Sequence, residues 1–468
     1  MAISGLLAVG LILTPIIISA CSSQAEEAPP PPPPPPPSPY PRLRAEEVFR
    51  DNRALRYDIT ITPADLHYLN ERGNEEKYVS ANLEVRGENF ETLNLGEVGF
   101  RHKGAWSLHH CWDDNGGVRN YQNECAKLSY KIKFNEYDND TRFYGLKRLN
   151  LHAADNSILP EILANSIFAE AGITAPRFAP AMLYINGELS GLFLAVEQVD
   201  GRFTKFRFPE TGDGYVFKEV WPKPGQHDGH YIYHLKTNED DPDVSGIQAW
   251  ARAIDYTSAA TFAEDMEPFI DLDMMLRYIA IDRALKNWDG IMAFYHPLTP
   301  HNFFWYLDDA QGSRFIIIPW DLDNTFWECD PIMYPQCFDW ITADPVPDWN
   351  VFPSSCEPIP VWTHDSETRL TPPGCDKFLQ LLASTQWDRF KEIGEEQLAG
   401  PLNYETMNAR LTYWAAFLEP LVEQDPLMNQ GDLSWAVDNY RSILADTPGY
   451  LQSHLDQGYR YHGNNLKL

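Results

Sequence analysis

Apolar and polar residues alternate along several segments of the first half of the chain, which is the pattern of β-strands. In Lys127–Phe134 every second residue is apolar, so these side chains face one side of a sheet. Asn186 and Gly187 separate two further apolar runs and predict the turn of a hairpin. One helix is predicted over Ser157–Gly172, where apolar residues recur at helical spacing. The other predicted strands are Tyr57–Thr62, Val79–Gly87 and Val98–Gly104.

The second half of the chain has mainly helical periodicity. Asp271–Asp289 has a helical stripe of apolar residues, and His301–Asp309 with Ser313–Asp321 predicts a second hairpin. Three long amphipathic segments follow Cys375: 377–398, 404–422 and 433–455. We therefore expect an α+β fold with two lobes and a cleft between them. The expected parts are a β-rich N-lobe, 46–200, and a mainly helical C-lobe that carries the functional site, 201–468.

The N-terminal segment has the features of an export signal. Residues 1–20 contain no charged residue, and the apolar run from Ile3 to Ile18 is short for a membrane span, so a signal peptide is predicted. Cys21 follows two small residues and resembles a bacterial lipobox, which predicts lipidation of Cys21; ordinary cleavage after Ala20 is the alternative. Residues 21–45 then form a proline-rich linker, with a stiff spacer at Pro29–Pro37. We expect an exported domain, lipid-anchored to the cell envelope outside the cytoplasm.

The seven cysteines agree with an exported chain. Without Cys21 an even set of six remains, which predicts three disulfides with fifteen formal connectivities. Sequence proximity favours a Cys111–Cys125 pair, and the other four then pair among themselves. A zinc site is the alternative, but no closely spaced ligand pattern supports it. The remaining cysteines are Cys329, Cys337, Cys356 and Cys375.

The charge of the chain narrows the class of partner. A net charge of -30 and an isoelectric point near 4.7 argue against a nucleic-acid partner, because binding a phosphate backbone needs a basic surface. The same charge does not exclude a single nucleotide that is held locally with a divalent cation.

Four polar residues lie where predicted helices and strands begin or end. Asp289 closes the long predicted helix, Asn302 begins a strand, and Asp321 and Asp323 follow the partner strand of its hairpin. These ends can converge, and carboxylate and amide oxygens suit Mg²⁺ or Mn²⁺. Two simpler interpretations stay open. The carboxylates can cap turns, or they can hold calcium, although the spacing does not match an EF-hand.

Four stretches of the chain form an ordered set of motifs: RLNLHAADNSILPEILANSIFAEAGITAPRFAPAMLYINGELSGLFLAVEQVD, KNWDG, HNFFWYLDD and FIIIPWDLDNTF. Together they resemble the CotH kinase family, named for a spore coat protein. The resemblance runs from about Tyr57 to Trp327. It implies an atypical, secretory protein-kinase-like fold, which transfers the γ-phosphate of ATP to Ser of an exported or surface protein with Mg²⁺ or Mn²⁺.

The resemblance also implies roles for individual residues. Asp289 corresponds to the catalytic-loop aspartate, Asp321 to the metal-binding aspartate with Asp323 beside it, and Asn302 to a metal-binding asparagine. Lys127 is implied as the lysine that contacts phosphate, and other implied nucleotide contacts are Arg101, Glu197 and Lys218. Each has an alternative: Lys131 or Lys133 can replace Lys127 on the same strand face, Glu197 can pair with Arg202 or Lys205, and Lys218 can be a solvated strand lysine.

Two of the departures of the chain from the family pattern lie near Lys127 or its candidate partner. Pro160 and Glu161 stand where the family often has Arg-Asn, and Glu161 is a candidate partner of Lys127. The Cys111–Cys125 insertion precedes Lys127 and can cover the site or displace it.

Two other functions remain open. One is a non-catalytic envelope module, or pseudokinase, whose acidic cleft binds a partner or calcium. The other is carbohydrate hydrolysis by paired carboxylates, which leaves Lys127 and Asn302 without roles.

Overall fold

The computed structural model describes residues 45–112, 125–153, 158–296, 299–308, 314–326, 346, 348–360 and 369–461. The predicted signal peptide, Cys21, the proline-rich linker, Cys329 and Cys337 lie outside the described residues. Within the described part of the chain, no helix has the length and apolar character needed to cross a membrane.

Seven strands form a closed barrel in the first part of the chain. All neighbours in the barrel pair antiparallel except β1 and β6, whose parallel pairing runs from Leu55 opposite Ala181 to Ile59 opposite Ile185 and closes the ring. The order around the barrel is β1-β2-β3-β4-β5-β7-β6. The strands are β1 (Leu55–Ile61), β2 (Val79–Gly87), β3 (Phe90–His102), β4 (Tyr130–Lys133), β5 (Arg148–Ala153), β6 (Phe178–Ile185) and β7 (Glu188–Glu197).

The alternation seen in the sequence fills the barrel. Phe100, Ile132 and Leu149 point inward and are fully buried, while the residues between them point outward. The predicted strands are therefore confirmed. The structure adds that they close on themselves, which leaves no free edge in this sheet.

Two short helices lie in the strand connections of the barrel. Helix α1 (Pro63–Arg72) begins at Thr62, whose hydroxyl accepts a hydrogen bond from the Asp65 amide at 3.1 Å. Helix α2 (Trp106–Cys111) is joined to Cys125 by a disulfide, so the predicted Cys111–Cys125 pair is confirmed. A second disulfide joins Cys356 and Cys375, in agreement with pairing among the last four cysteines.

Helix α3 (Ile158–Glu170) packs against the outer face of the barrel. It is apolar on almost every side, and such a helix is stable only when other elements surround it. Its residues pack with Leu194 and Val196 on the outer face of β7 and with residues of helix α8 (Leu272–Ala284). This helix therefore connects the barrel to the rest of the molecule.

The second part of the chain combines a small sheet with helices. The predicted hairpin is confirmed, because β10 (Phe303–Asp308) pairs antiparallel with β11 (Arg314–Pro319); β8 (Tyr215–Lys218) adds a third strand on the other side of β10. The three long C-terminal helices also lie where they are predicted: α9 (Lys377–Ala399), α10 (Tyr404–Val422) and α11 (Gln430–Gln457). The remaining elements are α4 (Gly201–Arg207), α5 (Asp228–His234), α6 (Ser245–Tyr256), α7 (Phe262–Met266), β9 (Phe294–Tyr295), β12 (Val351–Phe352), β13 (Ile359–Pro360), β14 (Arg369–Thr371) and β15 (Arg460–Tyr461).

The mixed α and β character of the fold agrees with the sequence. The buried apolar residues form two large clusters, one inside the barrel and one around α3, α8 and the small sheet. The two-lobed arrangement and the boundary at residue 200 stay predictions.

Candidate active site

Three of the predicted site residues converge where α8 and β11 end and where β10 begins. The amide nitrogen Nδ2 of Asn302 donates to the Asp289 carboxylate at 2.8 Å and to the Asp289 carbonyl at 3.1 Å. The Trp320 amide donates to the Asn302 carbonyl at 3.1 Å, which ties the residue before Asp321 to the same point. Asn302 and Asp321 have φ values of 59° and 52°. Residues other than glycine rarely adopt this conformation, and it is concentrated at functional sites.

The carboxylate of Asp289 receives hydrogen bonds from neutral groups. The Tyr295 hydroxyl donates to one oxygen, and Asn302 and Asn324 donate to the other. Burial raises the pKa of Asp289 to about 6; the hydrogen bond from Tyr295 opposes this rise, and the negative charge of Asp321 adds to it. Asp289 and Asp321 are thus close enough to repel each other, which is a reason for the site to attract a cation.

The loop that carries Asp289 is held in place by contacts with the C-terminal end of α8. Asn287 Nδ2 donates to the buried carboxylate of Asp282 at 2.9 Å, near the end of α8. Gly290 is needed beside this pair, because an added Cβ would lie 2.3 Å from Asn287 Nδ2. The direction of the Asp289 side chain is therefore set by α8 through a short, closely packed turn.

A second chain of contacts reaches Asp321 from the barrel. His152 on β5 places Nδ1 at 2.7 Å from Oε1 of Glu161 on α3 and at 3.6 Å from Oδ1 of Asp321. The Nε2 atom of the same ring lies 2.6 Å from Nζ of Lys103. Although burial opposes ionisation of Asp321, nearby positive charge, chiefly that of Lys103, lowers its pKa.

The outer face of the barrel presents further cations toward this site. Arg101, Lys131 and Asn150 are in register on β3, β4 and β5, and the residues between them fill the barrel interior. Burial lowers the pKa of Lys131 well below its usual range, and nearby positive charges, those of Lys103, Arg101, Arg148 and Lys218, lower it further. We name Lys103, Lys131 and Arg148 the basic face. It is a local cluster of basic side chains on a chain of net charge -30.

Lys127 does not have the environment that its predicted role requires. Its ammonium forms an ion pair at 2.5 Å with Asp425, and its side chain is only 7% exposed. The same carboxylate accepts a hydrogen bond from the Leu192 amide. These contacts do not favour the phosphate-binding role predicted for Lys127. A buried carboxylate already neutralises this ammonium and fixes it between the barrel and the helical part of the chain.

Glu197 and Arg101 likewise have protein partners. Glu197 is 1% exposed and pairs with Arg177 at 2.5 Å and Arg207 at 2.7 Å. Although burial opposes its ionisation, these two guanidinium groups lower the pKa of Glu197 to about 2. The salt-bridge interpretation of Glu197 is thus the correct one, although its partners are not those expected. Arg101 forms an ion pair with Glu76 and also donates to the His102 carbonyl.

Lys218 and Asp323 lie near the converging residues. Lys218 Nζ is 3.1 Å from Oε1 of Glu219, and the backbone N–H of Asn302 donates to the same oxygen at 3.4 Å. Asp323 lies in the short helical turn Leu322–Asn324. Burial lowers the pKa of Lys103, and the negative charge of Asp323 is one of those that oppose this change.

Sequence reasoning missed several residues of this site. Lys103 precedes Gly104, whose φ is 125° and whose Cβ, if present, would lie 2.3 Å from Ser107 Oγ. This turn was visible in the sequence as RHKGAWS. His152 was visible as a polar residue in a strand, and Glu161 was expected to pair with Lys127 rather than with His152. Tyr295 gave no signal in the sequence.

The structure allows the candidate metal ligands to be compared. His152, Glu161 and Asp321 form one candidate group. Each offers one possible metal-ligand atom, and these three atoms lie within 4.8 Å of one another. However, the Lys103 ammonium can only donate, so it occupies the lone pair at Nε2 of His152, and Nδ1 then carries a proton toward Glu161. The imidazole is therefore a poor ligand here. The oxygen atoms of Asp321, Asp323 and Asn302 fit a hard divalent cation better.

A cavity of about 440 Å³ opens beside the basic face. Arg148 of β5 and Asp200, which follows β7, both line it. The volume is within the range of small-molecule sites. Its other charged lining residues are Lys147, Arg202, Lys205, Asp213, Lys236, Glu239 and Asp240.

Acidic and amide side chains that meet opposite a row of cations define a site of the kind that handles phosphate together with a metal. Residues 100–461 match the family model described as CotH kinase protein, which is most of the chain, and the protein belongs to this family. The family resemblance in the sequence is thereby confirmed.

Two individual proteins give further comparisons. Inner spore coat protein H of Bacillus subtilis (strain 168) is 27% identical over 218 residues, which are 43% of this chain and 55% of that protein. The match thus spans about half of the relative. The crystal structure of a Helicobacter pylori proinflammatory kinase, CtkA, covers 71% of this chain and 94% of its own at 11% identity. Its TM-score of 0.32 is too low to carry an argument.

Proposed function

We propose that this protein is a kinase-like phosphotransferase, which moves the γ-phosphate of ATP to a serine hydroxyl of an exported or surface protein with Mg²⁺ or Mn²⁺. The observation that carries the proposal is the juxtaposition of Asp289, Asn302 and Asp321 with the basic face. Family membership supports the same class of reaction.

Asp321 is the principal metal ligand in this proposal, with Asn302 and Asp323 beside it. A divalent cation supplies charge neutralisation for the phosphate oxygens when it is bound. The residues fit this group, because the repulsion between Asp289 and Asp321 is relieved by a positive charge.

Asp289 orients the acceptor hydroxyl. With a pKa of about 6 it is mostly ionised at neutral pH, so it can accept the hydroxyl hydrogen bond and then the proton. The acceptor oxygen forms a bond to the γ-phosphorus, the bond from that phosphorus to the bridging oxygen of ADP breaks, and the proton passes to Asp289. Tyr295 and Asn302 hold the carboxylate in one orientation throughout.

The cavity beside Arg148 receives the nucleoside. Arg148 and His152 are four residues apart on β5, so their side chains share a face and their Cα atoms are separated by about 13 Å. A nucleotide whose base lies in the cavity can therefore extend its phosphates along β5 toward Asp321. The polar lining of the cavity suits the ribose and the base edges.

The location of the protein is part of the proposal. Lipidation of Cys21 would attach it to a membrane, and the proline-rich linker would hold the domain away from the surface. The disulfides support an oxidising compartment. The Bacillus relative is an inner spore coat protein by name, which supports a surface protein as the acceptor.

Transfer of labelled phosphate tests the proposal directly. The purified protein is incubated with γ-labelled ATP, Mn²⁺ or Mg²⁺ and a serine-rich acceptor, next to an Asp321→Ala variant. We expect this variant to lower transfer at least about 1000-fold, because it removes the main metal ligand. Asp273→Ala is the matched control, since Asp273 is a surface carboxylate paired with Arg389 and 49% exposed.

The other outcomes assign the function differently. Thermal stabilisation by ATP with Mn²⁺ but without transfer would identify a nucleotide-binding pseudokinase. Stabilisation by Ca²⁺ alone, with no response to ATP, would favour the non-catalytic envelope module and reject the kinase.

A further inference from the structure

We propose that Lys103 is the lysine that grips the ATP phosphates, and that His152 and Glu161 hold it in position. This inference rests on the proposed function. It assigns to Lys103 the phosphate contact that the sequence analysis predicted for Lys127. In the usual kinase arrangement a strand lysine pairs directly with a helix glutamate. Here a histidine stands between the two.

The geometry defines a chain of three side chains from different elements. Lys103 follows β3, His152 lies on β5 and Glu161 on α3. Lys103 Nζ is 2.6 Å from His152 Nε2, and His152 Nδ1 is 2.7 Å from Glu161 Oε1. A charged Lys103 can only donate, so in that state Lys103 donates to Nε2 of His152, and Nδ1 of His152 donates to Glu161. The buried glutamate thereby orients the lysine through the imidazole ring.

The position of Lys103 suits phosphate better than that of the other lysines. Its ammonium lies 5.4 Å from the ring centroid of Trp320, the residue directly before Asp321. It uses one of its three donors on His152, and an ammonium has two more that can bind phosphate oxygens. Lys127 is paired with Asp425, and Lys218 with Glu219. The hydrogen-bond partner of Lys103 is His152 rather than a carboxylate, so its ammonium is not held in a direct ion pair of the kind formed by Lys127 and Lys218.

Two variants of His152 separate its positioning role from simple packing. His152→Gln keeps an acceptor for Lys103 and a donor for Glu161, whereas His152→Leu removes both and keeps the bulk. Lys103→Ala removes the cation itself. Lys133→Ala is the control, because Lys133 lies on the neighbouring strand and pairs with Glu136 at 2.5 Å.

Dissociation constants of ATP and AMP, each with Mn²⁺, are measured by calorimetry for all variants. We expect Lys103→Ala to weaken ATP binding roughly 10- to 100-fold, as for loss of a charged hydrogen bond, and to leave AMP unchanged. His152→Leu should act in the same direction, and His152→Gln should keep most of the ATP affinity. Lys133→Ala should match the unaltered protein.

Several results would overturn the inference. Equal losses of affinity for ATP and AMP would show that the three residues have only a structural role. A lowered melting temperature that accounts for the lost ATP affinity would show the same. Unchanged ATP affinity in Lys103→Ala would reject the lysine while leaving the kinase proposal intact. If Lys103→Ala loses ATP affinity and His152→Leu does not, His152 would be rejected as a positioning residue. A folded, unaltered protein that does not bind ATP with Mn²⁺ would reject both proposals.

Discussion

Glu197 and Asp289 are two poorly exposed carboxylates with opposite electrostatic surroundings. Glu197 lies between two guanidinium groups and its pKa is lowered to about 2, whereas Asp289 receives hydrogen bonds from neutral donors, lies near Asp321, and has a pKa raised to about 6. The first carboxylate is already neutralised by the fold. The second keeps an unsatisfied preference for a proton or a cation, which is typical of a functional group.

The largest expected effect is on Asp289. Asp289→Asn keeps the shape of the side chain but removes the proton acceptor, so we expect kcat to fall by about 10² to 10⁴. Affinity for ATP with Mn²⁺ should change little, and thermal stability should be equal or higher, since repulsion with Asp321 is lost. Transfer assays and calorimetry measure both effects. Retention of full kcat would remove Asp289 from the chemistry.

The matching substitution at Glu197 should affect stability instead. Glu197→Ala leaves Arg177 and Arg207 without their carboxylate, and breaking a buried ion pair costs about 3–5 kcal/mol. Urea unfolding measures this loss, and the folded fraction should keep its kcat. Glu188→Ala, which removes an exposed carboxylate of the same strand, is the control. A loss of kcat without a loss of stability would contradict the structural role.

The pH dependence of stability follows from the same ion pairs. The pKa of Glu197 is about 2 in the folded state and near 4.5 ordinarily, so its ionisation contributes about 3 kcal/mol to stability at neutral pH. This contribution is fully present above the ordinary pKa and is lost as pH falls through the folded pKa. The stability difference between the unaltered protein and Glu197→Gln should therefore shrink as pH falls from about 5 to about 2. A constant difference would show that another group controls acid unfolding.

The smallest expected effect tests the neutral donors around Asp289. Tyr295→Phe removes one hydrogen bond to the carboxylate, so kcat should fall by about 5-fold. Because that bond favours the ionised form, its loss should also raise the pKa of Asp289 and move the acid limb of the pH–rate profile to higher pH. An unshifted limb would assign the limb to another group.

Much of the fold could be read from local patterns. The hairpin of β10 and β11 and the three C-terminal helices follow from apolar periodicity, which is local along the chain. Closure of the barrel could not be predicted in this way. It depends on the pairing of β1 with β6, more than a hundred residues apart, and alternation defines the face of a strand but not its neighbour.

The site also has a part that follows from local sequence and a part that depends on long-range contacts. Asp289, Asn302 and Asp321 stand at element ends, and their convergence follows from one helix and one hairpin. The choice between Lys127 and Lys103 depends on Asp425 and His152, which are distant in sequence from the two lysines. Similar lysines near one strand cannot be ranked until these long-range partners are known.

The closed barrel has a practical consequence for recombinant fragments. The family match begins at residue 100, inside β3, so a fragment cut at that boundary would lack β1, β2 and most of β3. The inner apolar surface of the remaining strands would face water, and β4 and β6 would become open edges that recruit strands from other molecules. The segment defined by evolutionary similarity is therefore shorter than the segment that can fold, and expression should begin upstream of Leu55.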